Sequence, residues 1–281
     1  MDPVAPGAIP SPDPAAEPVP LPPGFASGGF EHPTTVGPIL RRVVRYEAPG
    51  PTVILIHEAP GLSASTFAIA DVLSANGYRV VLPVLSDAAW SWRGIRPTAA
   101  NMIKLCVARE MSALASGQTG AIVEWLRGLA AAEHTATGGR PVGVIGMCMS
   151  GGFALATIPW SPVSVAVMSQ PALPFVLRPW KSDLGMSPTD RAELRRRVGA
   201  GECVRAMRFS RDSISPRKRM QLLRRELPAA ECVEIQTTNR KLHSVLARAV
   251  DRTLTGRLGA DVEQALVDTI AFLDRHLKTA G

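Results

Sequence analysis

Three residues of this chain have types and spacing that suit covalent chemistry on a carbonyl: Cys148, Asp212 and His243. The segment Val142-Gly-Val-Ile-Gly-Met-Cys-Met-Ser-Gly-Gly152 places Cys148 where a Val/Ile-rich run ends and small residues open the next element. A sharp strand-to-helix turn of that kind exposes a nucleophile, and small neighbours are needed because backbone segments crowd the turn. The following helix aims N–H groups and a positive dipole end at the sulfur, favouring thiolate and oxyanion alike. The bland reading is a small buried core cysteine, and it fits Cys106, Cys203 and Cys232, which lack these flanks.

A thiol nucleophile needs a base, and the base needs an acid to orient it. Downstream of Cys148 the chain offers only His243 and His276. His276 falls in a final amphipathic stretch, as an exposed or satisfied helical histidine would. His243 follows the last strand-like run by a short loop, the place expected of a base. Asp212, in Arg208-Phe-Ser-Arg-Asp-Ser-Ile-Ser-Pro216, comes just past a strand and before a proline-initiated helix, and ligands in open α/β sheets bind at such strand ends. Asp183 and Asp190 are rivals that precede the strand. Asp212 as a mere helix cap is the other alternative.

Positioning these groups takes a regular frame, and the periodicity supplies one. Short apolar runs (Arg42–Tyr46, Val53–His57, Arg79–Pro83, Val142–Gly146, Val163–Ser169, Val204–Phe209 and Cys232–Gln236) read as buried parallel strands. Helical stretches alternate with them: Thr66–Asn76, Ala99–Leu114, Gln118–Ala132, Gly151–Ile158, Pro188–Val198, Pro216–Leu227 and Val262–Leu277. Ser187-Pro188-Thr189-Asp190 reads as a helix start and Asn76-Gly77 as a helix stop. The fold class expected is α/β, a mostly parallel central sheet with helices on both faces. Nine prolines within residues 1–23 forbid regular structure there. The expected organisation is a disordered tail over 1–35 and one α/β domain over 36–281.

At 281 residues with 46% hydrophobic and 20% charged, the chain affords a sizeable core. No apolar run reaches the roughly 18 residues of a membrane span, and no secretory signal is visible, so the expectation is a soluble cytoplasmic protein with no membrane partner. The four cysteines show no metal-ligand spacing. Formal charge is +7, and residues 191–225 hold twelve Arg or Lys against three acids. Such a segment fits an anionic partner or a solvated helix face, and the second reading is preferred. Phe209 is the one aromatic within it and falls in a strand, so no nucleic-acid partner is expected.

Taken together, His57-Glu-Ala-Pro-Gly61, Gly77-Tyr-Arg-Val-Val-Leu-Pro83, Gly146-Met-Cys-Met-Ser-Gly-Gly152, Phe209-Ser-Arg-Asp-Ser-Ile-Ser-Pro216 and Leu242-His-Ser244 resemble the dienelactone hydrolase family of the α/β-hydrolase superfamily, over roughly residues 40–277. The resemblance implies hydrolysis of an ester or lactone by a Cys148–His243–Asp212 triad. It also implies that Glu58 helps to generate the thiolate, that the amides of Ala59 and Met149 form the oxyanion hole, and that His57 is structural. No metal or organic cofactor is implied. Three features depart from the family pattern. Ser150 stands where glycine is usual, which keeps a Ser150 nucleophile open as an alternative. The family's carboxylate-binding arginine has no clean match, because Ala247 occupies the expected place and Arg248 comes one residue late. The loop Asp87–Pro97, with Trp92 and Arg93, is idiosyncratic and offers aromatic and cationic groups to an anionic substrate. A non-catalytic binding protein on the same fold is the reading from a different class. The oligomeric state is not legible.

Overall fold

A computed structural model describes residues 25–59, 61–85, 120–172 and 184–278 of the chain. The fold is an eight-stranded mixed sheet, mostly parallel, in the order β1-β2-β4-β3-β5-β6-β7-β8. The strands are β1 (Ala26–Thr34), β2 (Gly37–Tyr46), β3 (Thr52–Ile56), β4 (Arg79–Pro83), β5 (Val142–Met147), β6 (Val163–Ser169), β7 (Cys203–Phe209) and β8 (Glu231–Ile235). The first two strands pair antiparallel, β2 runs antiparallel to β4, and every later pairing is parallel. Every residue of β3 and β5 is buried, as central strands covered on both faces must be.

The described helices are α1 (Ala64–Ala75), α2 (Ala121–Ala136), α3 (Ser150–Thr157), α4 (Pro188–Gly199), α5 (Arg217–Glu226), α6 (Val245–Asp251) and α7 (Gly256–Leu273). Helices on one face pack Trp125, Phe153, Leu194, Met220 and Leu223 into one core. Those on the other pack Phe67, Leu73, Val245, Leu246 and Phe272 into a second. The architecture is a three-layer α/β sandwich. The expected helix start is realised with Ser187 accepting a bond from the Asp190 amide and Pro188 opening α4. Gly77 ends α1 at φ 83°, a conformation glycine takes without penalty.

Two elements differ from the sequence reading. Ala26–Thr34 is strand β1, where tail had been expected as far as residue 35. Gly28, Gly29 and Pro33 give it poor intrinsic β propensity. It forms because nine residues register against β2 and because Trp125 donates its indole N–H to the Phe30 carbonyl at 3.1 Å. Helix α6 is a single short element after His243, and it too lacked a periodic signature. The expected helix over Ala99–Leu114 lies outside the described residues.

The basic segment resolves into paired helix faces. Arg195 bonds Glu226, Arg196 bonds Glu193, Arg197 bonds Glu202 and Arg217 bonds Glu234. Among the described residues no helix is long and apolar enough to cross a membrane.

Candidate active site

Parallel strands point their C-terminal ends the same way, and the register keeps those ends level. Ile56 pairs with Gly146, Met147 with Ser169, Ser169 with Met207, and Phe209 with Ile235. Glu58 follows β3, Cys148 follows β5, Gln170 follows β6, Asp212 follows β7 and His243 follows β8. Residues far apart in sequence therefore share one edge of the sheet, where open α/β folds bind their ligands.

Cys148 sits in the left-handed region at φ 58°, a conformation that costs a non-glycine residue about 1–2 kcal/mol. Such strain persists only where surroundings over-determine it. Here its amide donates to Ser169 O at 2.9 Å, while its carbonyl accepts from Gly151 N at 3.1 Å and Ala172 N at 3.0 Å. Gly146 makes the turn possible, because a Cβ there would lie 2.2 Å from the Ser150 carbonyl oxygen. Gly146→Ala should lower stability by at least ~2 kcal/mol, because backbone rather than a flexible side chain must move. Thermal unfolding would show this, and an unchanged melting temperature would mean the turn is slacker than described.

The departure at Ser150 has a structural reason. Its buried hydroxyl accepts from Met147 N at 2.8 Å and lies 2.8 Å from Met147 O and 3.1 Å from Ile56 O. It clamps β5 and the first turn of α3 to the end of β3.

Asp212 is buried and both its oxygens are used. Oδ1 accepts from Ile214 N at 2.8 Å and Ser215 N at 3.1 Å, and Oδ2 lies 2.6 Å from His243 Nδ1. Its carboxylate is held by its own loop and meets the imidazole, and the cap of α5 is Pro216 instead. Its rival Asp190 is spent on Trp160 and Arg127, and Asp183 lies outside the described residues. Beneath the acid loop Arg208, buried in β7, donates to the carbonyls of Ser215 (2.6 Å), Asp212 (2.9 Å) and Ser210 (3.3 Å). Sequence reading missed it because a strand arginine gives no hint of which loop it will gather.

Burial disfavours the charged form of His243, but hydrogen bonding and charge from Asp212 and Cys148 outweigh it and push the ring up to about 10. Sulfur and imidazole thus interact electrostatically. Strict hydrogen-bond geometry nevertheless leaves Nε2 buried without a partner among the described residues. The thiol is thus a neighbour of the ring that makes no aligned hydrogen bond to Nε2. Outside the regular elements, no backbone acceptor among the described residues takes the amide N–H of Met149 or Ala59.

Glu58 Oε2 accepts from Ser244 Oγ at 2.7 Å and Gln170 Nε2 at 3.2 Å. Burial raises its pKa, with Ser244, the His243 charge and Gln170 pulling back. His57 is buried and fully committed: Nε2 accepts from Leu85 N at 3.1 Å and Nδ1 faces Glu58 O at 3.0 Å. It ties the end of β3 to the residues after β4, a structural role. Burial lowers its pKa to about 4. A depressed histidine stabilises the fold above its unfolded pKa near 6.5 and loses that contribution as pH falls toward 4. The loss should reach ~3 kcal/mol. Melting temperature should fall from pH 7 to 4.5 less steeply in His57→Gln than in the parent protein, and parallel curves would sink the assignment.

Arg248 is not brought to the site. One residue on a helix turns a side chain by about 100°, and its guanidinium bonds Thr253 at 3.0 Å. Trp92 and Arg93 lie outside the described residues. A thiol–imidazole hydrogen-bond contact is found elsewhere, Cys203 Sγ to His276 Nδ1 at 3.3 Å. It lies at the N-terminal end of β7, across the sheet from the elbow. Burial raises the Cys203 thiol and lowers His276, so this is a contact between neutral groups. An open cavity of about 560 Å³ lined by Ser210, Arg211, Arg217, Gln236, Thr237 and Thr238 flanks the acid loop, but none of the elbow residues lines it.

Sheet order and the strand-to-helix turn at Cys148 are those of the α/β-hydrolase fold. Residues 42–181 match the model of the dienelactone hydrolase family, a match that includes Glu58 and Cys148 and stops before Asp212 and His243. The chain belongs to that family. Solved structures agree on the fold. A putative dienelactone hydrolase from Klebsiella pneumoniae superposes with a TM-score of 0.57 at 16% identity, covering 88% of this chain and 98% of its own. A cold-adapted esterase from an Arctic intertidal metagenomic library gives 0.56 at 15%, covering 92% and 97%. A dienelactone hydrolase-like promiscuous phosphotriesterase from metagenomic libraries gives 0.53 at 13%, covering 89% and 99%. No curated protein sequence matches the chain.

Proposed function

We propose that the protein hydrolyses a carboxylic ester or lactone through Cys148, with His243 as base and Asp212 as its orienting acid. One observation carries this: a strained cysteine on a strand-to-helix elbow interacts with a histidine whose other ring nitrogen is 2.6 Å from a buried carboxylate. Ser150 is a poorer nucleophile than Cys148 because its hydroxyl is spent within the elbow.

The thiolate attacks the carbonyl carbon, forming a C–S bond and an oxyanion. The N–H groups of Met149 and Ala59 and the start of α3 supply positive potential to that oxygen. Collapse expels the alkoxide, which takes its proton from the His243 imidazolium. Forming the acyl thioester removes the sulfur charge that had helped to hold the ring's proton. The neutral ring then takes a proton from water, which attacks the acyl group. The carboxylic acid leaves, and thiolate and imidazolium are restored. Glu58, facing the histidine loop, assists the ionisation that first forms this pair, taking the thiol proton and passing it to His243.

Turnover of short p-nitrophenyl esters and lactones, with release of both acid and alcohol, tests the reaction. Absence of turnover across a broad ester and lactone panel would favour the non-catalytic binding protein.

A further inference from the structure

Gln170 is the least expected residue at this edge of the sheet. It is buried, belongs to the loop immediately after β6, and holds φ 39°, a left-handed conformation that is strained for glutamine. Its amide N–H is fixed to Met207 O at 2.7 Å. Its side chain is used at both ends: Nε2 donates to Glu58 Oε2 at 3.2 Å, and Oε1 accepts from Val245 N at 2.9 Å and from the Ser169 hydroxyl. Val245 is the first residue of α6, two places after His243, and Ser244 between them donates to the same Glu58 oxygen. One carboxylate oxygen and one helix start are thus tied together through a single side chain.

Taking the catalytic reading above as given, we infer that Gln170 is a positioning residue: it clamps the Glu58 loop to the first turn of α6, the helix that follows the histidine loop, and fixes the Glu58 carboxylate against the His243 loop. A shorter or apolar side chain would leave Val245 N without its acceptor and Glu58 with one donor fewer. Only an amide at this length donates to the carboxylate while accepting from the backbone. Because the Gln170 bond favours the ionised carboxylate, as do Ser244 and the charge on His243 while burial and Asp251 oppose it, losing that bond shifts Glu58 toward its neutral form.

The test reads the Cys148 thiol directly, by following iodoacetamide alkylation at that site against pH in the full chain, alongside ester turnover. Gln170→Leu should slow alkylation by about tenfold near pH 6, the loss expected for one hydrogen bond to a charged group, and leave it nearly unchanged near pH 9. Gln170→Glu keeps the shape and the acceptor for Val245 but not the donor, so it should displace the acidic limb the same way and serves if the leucine variant fails to fold. In a Glu58→Gln background neither substitution should move the limb further. A loss equal at every pH, no change, or the same displacement without Glu58 would each overturn the clamp. Turnover in Cys148→Ala separates the two failures: if it survives, the catalytic reading falls, whereas a dead Cys148→Ala beside unshifted Gln170 profiles removes the clamp alone.

Discussion

Cys148→Ala should reduce kcat/KM for a p-nitrophenyl ester by about 10⁴-fold or more, leaving only what oxyanion donors and binding supply. The same loss should follow in Cys148→Gly, yet the two variants should differ in stability. Alanine keeps the left-handed strain at φ 58°, and glycine does not. Cys148→Gly should therefore melt above Cys148→Ala, with the gain trimmed by the larger chain entropy of glycine. This pairing of a dead enzyme with relieved strain is what a functional cysteine predicts. A cysteine kept only for packing predicts the same stability order, which follows from φ alone, but retained activity in both variants. Iodoacetamide should inactivate the parent protein, with one carbamidomethyl group at Cys148 accounting for the loss. Cys203 and Cys232 should react more slowly, since burial raises both thiols. Turnover that persists in Cys148→Ala would end the proposal, and loss in Ser150→Ala with Cys148→Ala tolerated would transfer the role to serine.

How much of this was legible beforehand depends on how local each cause is. The elbow could be read because its requirements, a Val/Ile strand and small residues on both sides of one nucleophile, lie within eleven consecutive residues. Asp212 and His243 could be singled out as candidates because strand ends are marked by the end of an apolar run. Gln170, Arg208 and Ser244 could not be singled out, because each matters through a partner distant in sequence: Glu58, a ring of loop carbonyls, and Glu58 again. The meaning of Ser150 was also hidden, since the carbonyl of Ile56 that its hydroxyl meets comes from another strand. Strand β1 escaped for a related reason: its residues prefer no strand, and its partner β2 supplies the register. Arg248 shows the reverse: residue type and near-position are legible, but the direction in which the helix turns the side chain, here toward Thr253, is not.

Asp212→Asn isolates the orienting acid, and the structure says which way the new amide must face. Oδ1 accepts from two backbone N–H groups, Ile214 and Ser215, so an asparagine must keep its oxygen there and turn its NH₂ toward His243. A donor facing Nδ1 forces that nitrogen to accept, which places the ring's proton on Nε2 and leaves no base beside the sulfur. A loss of about 10⁴-fold in kcat is expected, with KM little changed, because the acid touches no substrate. The pH dependence of stability carries a second signature. His243 is raised to about 10 in the folded protein, so its contribution is present in full below the unfolded pKa near 6.5 and is lost as pH rises from there through 10. The parent melting temperature should fall across that window. In Asp212→Asn the carboxylate charge no longer holds the proton, and the fall between pH 7 and pH 10 should be visibly shallower, with the Cys148 interaction accounting for what remains. A variant that kept both the activity and the slope of the parent would show that the 2.6 Å contact orients nothing.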